Sequence, residues 1–260
     1  HAVVNFDDPF GRNLLANIPD SVSSYSYSLD STAADLYAKK IDNGAGICAD
    51  IKTPWGDGQI KSTLLGDFNL SNLLAVTAAL CISGITLEKV LTGIKTLTPV
   101  EGRMELFGDE SQPNVIIDFA HTPDALEKAL TQLKQICDGK LICVFGCGGD
   151  RDSGKRAIMG SIADRLCDHL ILTDDNPRNE NPKYITDQIA DGLKGFATHE
   201  VIHDRYHAIE HAISGARPQD YILIAGKGHE QTQEYASSSI HFCDRETVSK
   251  ILDGSVNGGE

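Results

Sequence analysis

Groups able to handle an anion crowd into Leu141 to Gly160, LICVFGCGGDRDSGKRAIMG. Gly146, Gly148 and Gly149 let the backbone turn sharply and approach a ligand closely. Asp150 to Arg156 then places five charges in seven residues before a helical pattern begins. Strand, glycine turn, charged loop and helix is the order in which α/β proteins build anion sites, because a helix start offers free N–H groups. The stretch approaches two fingerprints and completes neither. Gly149-x4-Gly154-Lys155 has phosphate-loop spacing, but Arg156 stands where a magnesium-binding hydroxyl is needed. Gly146-x-Gly148 opens like a dinucleotide loop, but Arg151 holds the place of its last glycine.

Three more segments carry comparable chemistry. Asp118-Phe119-Ala120-His121 follows the apolar run NVII, Asp174 to Arg178 follows HLILT, and Gly226 to Glu230 follows YILIA. Arg178 offers a planar fork suited to a carboxylate, and Pro177 stiffens its turn. The glycines around Lys227 allow close approach beside the Lys227-His229-Glu230 trio. Arg151, Lys155, Arg156, Arg178 and Lys227 together could form a local anion cluster. Thr122 and Pro123 have a plainer explanation as N-cap and first helical residue, which does not account for Asp118 or His121.

The elements that must position these groups are legible as alternation. From Met104 onward the pattern reads MELFG, NVIIDFA, helix 123–136, LICVFG, helix 155–166, HLILTD, helix 182–193, THEVIH, helix 205–214, YILIAG, a last strand near 240–243 and a closing helix. Repeated strand–helix units predict a doubly wound, mostly parallel sheet, whose ligands bind beyond the carboxyl ends of its strands. All four chemical segments fall at such ends. Before Thr98-Pro99 the texture differs. Ala2 to Asn5 reads as a strand and Asp8 to Asn17 as a helix. SVSSYSYS, ADLYAKKI, GICADIKT and QIKSTLL read as strands, the last two joined through Pro54 to Gly58. Helices follow at Leu73–Ile82 and at 87–97, the second with Thr86 as N-cap. Two domains, 1–98 and 99–260, are expected.

Composition sets the outer limits. The 260 residues are 41% hydrophobic and 23% charged, with a formal charge of −14 that argues against a general nucleic-acid surface. Anionic small ligands need only a local cluster. No apolar run is long enough to span a bilayer. The seven cysteines are scattered and mostly inside apolar segments, which is the reduced, cytoplasmic pattern of buried thiols. A chain opening at His1 on the strand-like HAVVN is expected to be part of something longer.

GRMELF, IIDFAHTPDALEKAL, FGCGGDRDSGKR-x-x-MG, TDDNPRNENP and AGKGHE, in that order, resemble the C-terminal domain of the Mur ligases, and more narrowly of their diaminopimelate-adding branch. LLGDFNLSNLLAVTAAL resembles the close of that family's central ATP-binding domain. The resemblance covers nearly the whole chain. It implies an α/β fold: a Rossmann-like C-terminal domain that takes the acceptor amino acid, preceded by the tail of the ATP-binding domain. It also implies an ATP- and Mg2+-dependent carbon–nitrogen ligase that releases ADP and phosphate. ATP phosphorylates the D-Glu carboxylate of UDP-MurNAc-L-Ala-D-Glu, and an amine of meso-diaminopimelate attacks the acyl phosphate. Phosphorylation supplies the leaving group that a carboxylate lacks; the protein positions the partners and neutralises charge.

Carried over by motif, Arg151, Asp175, Asn176, Pro177, Arg178, Gly226 and Glu230 match the diaminopimelate pocket. Lysine-adding relatives lack Arg at the position of Arg178, since lysine has no second carboxylate. Asn72 matches the adenine side of the nucleotide site, Arg103 and Asp118 the ribose side; His121 and Lys155 lie in matching motifs. Asn72 has a plainer alternative as a helix-start residue in NLSN. The family's Gly-Lys-Thr/Ser loop, magnesium ligands and modified lysine are expected upstream of His1, so no catalytic or metal-binding residue is assigned here. The chain is expected to be a monomer and, alone, not to turn over ATP. Two other readings stay open: an acceptor-binding module without chemistry, and an unrelated phosphoryl-transfer enzyme using Gly149 to Lys155.

Overall fold

The computed structural model describes residues 1–40 and 46–256. It divides into two compact units, His1–Pro99 and a second beginning at Val100.

The first unit is a five-stranded sheet with helices. β1 (Ala2–Asn5), β2 (Ser24–Ser28), β3 (Leu36–Lys40), β4 (Ile47–Thr53) and β5 (Gly56–Ser62) lie in sequence order. The first three run parallel and the last two antiparallel. α1 (Pro9–Ala16) follows β1, and Asp8 caps it by accepting from the Phe10 N–H. The expected strand ADLYAKKI ends at Ile41, outside the described residues. β4 and β5 form the expected hairpin, with Pro54-Trp55 between them.

α2 (Asp67–Ile82) begins six residues before the expected Leu73. The turn-like GDFNLSN continues as helix because Leu70, Leu73, Leu74, Thr77, Ala78 and Cys81 bury one face at helical spacing. Asn72 is therefore an exposed mid-helix residue rather than a helix start. α3 (Leu87–Ile94) ends earlier than expected, and Thr86 at its N-cap makes no side-chain cap bond.

The second unit confirms the doubly wound α/β reading. Its elements are β6 (Glu105–Phe107), β7 (Asn114–Asp118), α4 (Pro123–Ile136), β8 (Leu141–Phe145), α5 (Gly154–Leu166), β9 (His169–Leu172), α6 (Pro182–Ala190), β10 (Thr198–Val201), α7 (Arg205–Ser214), β11 (Tyr221–Ala225), β12 (Thr232–Tyr235), β13 (Ser238–His241) and α8 (Asp244–Val256). The sheet order is β10-β9-β8-β11-β7-β6, parallel except for the edge strand β6. Every residue of β8 is buried, as a central parallel strand requires. Val115, Ile117, Val144, Ile171, Ile222 and Ile224 join residues of α7 and α8 in one core.

Local chemistry starts the helices where expected. Thr122 accepts from the Ala125 N–H, with Pro123 as the first helical residue. Asn181 accepts from the Lys183 N–H ahead of Pro182. The single strand expected near 240–243 is instead an antiparallel hairpin, β12 with β13. Thr232-Gln233-Glu234-Tyr235 carries no apolar run, so nothing local announces it as a strand. Among the described residues, no helix is long and apolar enough to cross a membrane.

Candidate functional site

Register fixes where the chemistry gathers. Asp118 pairs with Ala225, Ala225 with Phe145, and Phe145 with Leu172, so four parallel strands end in one row. The chain beyond each supplies one of the four segments singled out above. β11 returns between β7 and β8, so the crevice lies where strand order reverses, as doubly wound sheets require.

Around Arg178 the segments lock together. Asn176 is 4% exposed; its Nδ2 donates to Glu230 Oε2 at 2.9 Å. Its Oδ1 accepts from Lys227 Nζ at 3.1 Å and from the Glu234 N–H at 3.0 Å. Lys227 Nζ also donates to Glu230 Oε2 at 3.0 Å. Burial pushes the Glu230 carboxyl up, but the bonds from Asn176 and Lys227 and the charges of Lys227 and Arg178 outweigh it, and the group stays below its usual range. Arg178 Nη1 donates to Gly149 O at 2.9 Å and Nε to Glu234 Oε2 at 2.8 Å. Its φ of 51° is left-handed, a conformation that costs a non-glycine residue about 1 kcal/mol or more and is held by these contacts.

Asp175 is 9% exposed, and its carboxylate carries no hydrogen bond among the described residues. Burial raises its pKa, which Arg205 and Lys227 only partly offset. A methyl on Gly226, whose φ is 114°, would sit 2.7 Å from Asp175 Oδ2, so glycine is needed for the close approach. A methyl on Gly148 would stand 3.0 Å from Arg178 Nη1 and 3.6 Å from Arg151 Cγ. The glycine thus brings the two guanidinium-bearing chains alongside each other. Arg151 itself is exposed, and among the described residues its side chain bonds only the neighbouring Asp150 O, at 3.3 Å.

A second group gathers at the end of β7. Asp118 is 8% exposed and accepts from the Met104 N–H at 2.8 Å. Burial raises its pKa against those backbone bonds and the Arg103 charge. Arg103 lies over the Phe119 ring at 4.8 Å, and the rings of His121 and His229 stand 4.5 and 5.2 Å from it. His121 Nδ1 meets Phe119 O at 2.8 Å, and Lys155 Nζ donates to His121 O at 2.7 Å. Arg103, Asp118, His121 and Lys155 are therefore brought together. Asn72 belongs to the first unit.

Two expectations need correction. Arg156 is 0% exposed and takes no part in an anion cluster. Its Nη1 donates to Glu180 Oε2 and Gln188 Oε1, both at 2.7 Å, and its Nη2 to Glu180 Oε1 and Gly148 O. Lys227, also 0% exposed, is consumed by Asn176 and Glu230. The glycine loop is likewise not a cradle of free donors. The Gly149 N–H goes to Asn176 O, Asp150 N–H to Glu180 Oε1, Gly154 N–H to Asp152 Oδ1 and Arg156 N–H to Ser153 O. A phosphate would have to displace these, which weighs against the phosphate-loop reading.

Sequence reasoning missed Glu180, Gln188, Gln233, Glu234 and the fully buried pair Arg205–Asp244, at 2.8 Å. Arg205 also bonds Ala225 O and Asp174 O, bracing two of the strand-end loops. A polar residue after a helix start gave no signal of these distant partners.

A larger cavity, about 780 Å³, lies at the opposite, amino ends of the strands, between Lys140, His169, Glu200, His211 and Arg217. Glu200 Oε1 there meets His169 Nε2 and His211 Nε2 at 2.9 and 3.0 Å. We place the site at the carboxyl ends regardless of size, because that is where buried charge, unpaired carboxylate and glycine-lined backbone converge. Among the described residues no three His, Cys, Asp or Glu groups are arranged to hold a metal ion.

Comparison with known proteins identifies a family. The description "Mur ligase middle domain" matches residues 1–80, and "Mur ligase, glutamate ligase domain" matches residues 102–228. The chain is 44% identical over 255 residues to the UDP-N-acetylmuramoyl-L-alanyl-D-glutamate–2,6-diaminopimelate ligase of Coxiella burnetii, covering 96% of this chain and 52% of the relative. To the ligase of that name from Vibrio vulnificus it is 41% identical, covering 97% and 51%. A solved structure of a ligase of that name matches with TM-score 0.70 at 35% identity, over 98% of this chain and 53% of the other. A pseudomurein peptide ligase from Methanothermus fervidus shares the fold alone, with TM-score 0.69 at 20% identity over 96% and 56%. The chain spans about half the length of the curated relatives it matches. Two family descriptions in chain order, over a doubly wound sheet whose strand-end loops carry the motifs, place this chain in the Mur ligase family.

Proposed function

We propose that this chain is the acceptor-binding half of a cytoplasmic ligase that joins meso-diaminopimelate to UDP-MurNAc-L-Ala-D-Glu, using ATP and Mg2+. Residues 99–260 take the acceptor amino acid, and residues 1–98 complete the ATP-binding domain. The observation that carries the reading is the juxtaposition of Arg178, Asp175, Asn176 and Glu230 at one sheet edge. Diaminopimelate carries two carboxylates and two amines. Arg178, with Arg151 beside it, suits a carboxylate; Asp175 and Glu230 suit an ammonium group. The printed names of the relatives point to the same acceptor.

Arg103, Asp118, His121 and Lys155 border the nucleotide in this reading. Asp118 accepts hydrogen bonds, as a ribose hydroxyl requires. ATP supplies the phosphoryl group that turns the D-Glu carboxylate into an electrophile. This chain's residues orient the attacking amine and offset the acceptor's charge. No metal ligand is assigned to them.

Calorimetric titration with meso-diaminopimelate, with L-lysine as control, tests the proposal. Binding of diaminopimelate but not lysine, lost in Arg178→Ala, is the expected result. Equal binding of both amino acids, or an unaffected Arg178→Ala variant, overturns it.

A further inference from the structure

Glu234 is tied to Arg178 by main chain and side chain at once. The Arg178 N–H donates to Glu234 O at 3.0 Å, and Arg178 forms a parallel bridge with Tyr235. The Glu234 N–H donates to Asn176 Oδ1, and the neighbouring Gln233 Nε2 donates to Asp174 O at 3.3 Å. These bonds lay β12 against the turn that follows β9, and none of them needs the Glu234 carboxylate. That carboxylate does something separate: its Oε2 takes Arg178 Nε at 2.8 Å. It is 48% exposed, against 22% for the Arg178 side chain. A cavity of about 430 Å³ opens there, lined by Arg178, Asn179, Glu234, Tyr235 and residues 236–239.

The guanidinium is thus occupied on two nitrogens, Nε by Glu234 and Nη1 by Gly149 O, while Nη2 has no partner among the described residues. Its nearest charge is an internal carboxylate of the kind an incoming ligand would bring. Two carboxylates drawn to one guanidinium repel each other, and each lowers what the other gains.

We propose that Glu234 is a specificity-determining residue of the acceptor pocket. It anchors the guanidinium plane of Arg178 and holds down its net charge, so that an acceptor carboxylate binds through Nη2 against a competing charge. This rests on the acceptor reading above. It adds that the affinity for a second carboxylate is set below what Arg178 alone would give. The residue acts through Arg178 and is a positioning residue, not a catalytic one.

Glu234→Gln separates the charge from the anchor, because the amide oxygen can still accept from Nε while the negative charge is gone. Glu234→Ala removes both, and the backbone bonds that dock β12 remain in either variant. Calorimetric titration of each with meso-diaminopimelate and L-lysine is the test. In Glu234→Gln the dissociation constant for diaminopimelate should fall about twofold to fivefold, the range of a partly exposed charge contact. Its salt dependence should steepen, and lysine should be unchanged. In Glu234→Ala the gain should be smaller, since Arg178 is no longer oriented. Unchanged or weaker diaminopimelate binding by Glu234→Gln, while Arg178→Ala has lost it, overturns this inference and leaves the acceptor reading intact. Equal tightening of lysine also overturns it. An unsubstituted chain that binds no diaminopimelate, or an Arg178→Ala variant that binds normally, overturns the acceptor reading and this inference with it.

Discussion

Arg156 and Glu180 meet through two parallel bonds, Nη1 to Oε2 at 2.7 Å and Nη2 to Oε1 at 2.9 Å, with the arginine entirely buried. Glu180 also takes the Asp150 N–H, so a single carboxylate holds both the helix α5 and the loop before it. Glu180→Ala leaves Arg156 charged and buried with Gln188 and Gly148 O as its remaining partners. A loss of about 3 kcal/mol is expected, the low end for a broken buried pair because Glu180 is itself one-third exposed. Urea unfolding measures it; a change below about 0.5 kcal/mol would contradict the assignment.

The same pair gives a pH dependence. The bond from Arg156 holds the Glu180 carboxyl below its usual range. A depressed carboxyl contributes stability that is fully present above the unfolded pKa, about 4.3, and lost as pH falls through the lower folded value. The stability difference between the unsubstituted chain and Glu180→Gln should therefore shrink as pH is taken below about 4. A difference that grows on acidification would reverse the sign of this assignment.

Asp175 makes the opposite prediction. Burial raises its pKa, so the folded state disfavours its charge, and that penalty appears as pH rises through the folded value. Asp175→Asn should be more stable than the unsubstituted chain at pH 7, and the two should converge in acid. In the proposed reading it should also lose diaminopimelate affinity, a cost in function for a gain in stability. Thermal unfolding at pH 7 and pH 4 decides it.

Gly226→Ala should be destabilised by roughly 1–3 kcal/mol, because its φ of 114° and the Asp175 oxygen 2.7 Å from the new methyl both oppose a side chain. Combining it with Asp175→Ala should recover the steric part and leave the backbone part. Chemical unfolding of the two variants and the double mutant measures that coupling.

The thiols are expected to be inert in the folded chain. Six of the seven are buried and Cys137 is half-buried. Burial pushes Cys147 up to about 12 and raises Cys81, Cys137 and Cys167 as well. Thiolate, not thiol, reacts with alkylating agents. At pH 8 alkylation should reach Cys137 first and the others only on unfolding, as peptide mass mapping would show. Rapid labelling of Cys147, next to the glycine loop, would mean that the loop opens.

Much of this was legible in the residues themselves. Five-residue apolar runs ending in Asp, Gly or Thr dictate buried parallel strands, and glycine-rich or proline-stiffened turns after them dictate where the backbone leaves the sheet. Thr122-Pro123 and Asn181-Pro182 start helices by capping chemistry that operates within three residues. Local interactions of this kind are encoded side by side, so the strand-end placement of Asp118, Gly146, Asp174 and Gly226 followed from the sequence alone.

What the tertiary structure decided depends on partners far apart in the chain. Arg156 meets Glu180 across 24 residues and Arg178 meets Glu234 across 56. Spacing cannot tell a guanidinium that will face a ligand from one that will be buried against a carboxylate. Arg156 and Lys227 turned inward because acceptors were waiting inside, while Arg178 kept Nη2 without a partner among the described residues. α2 began at Asp67 because its buried face outweighed a turn-like composition. β12 formed because β13 folds back to pair with it and the Arg178 N–H after β9 bonds Glu234 O, a choice that four polar residues could not announce.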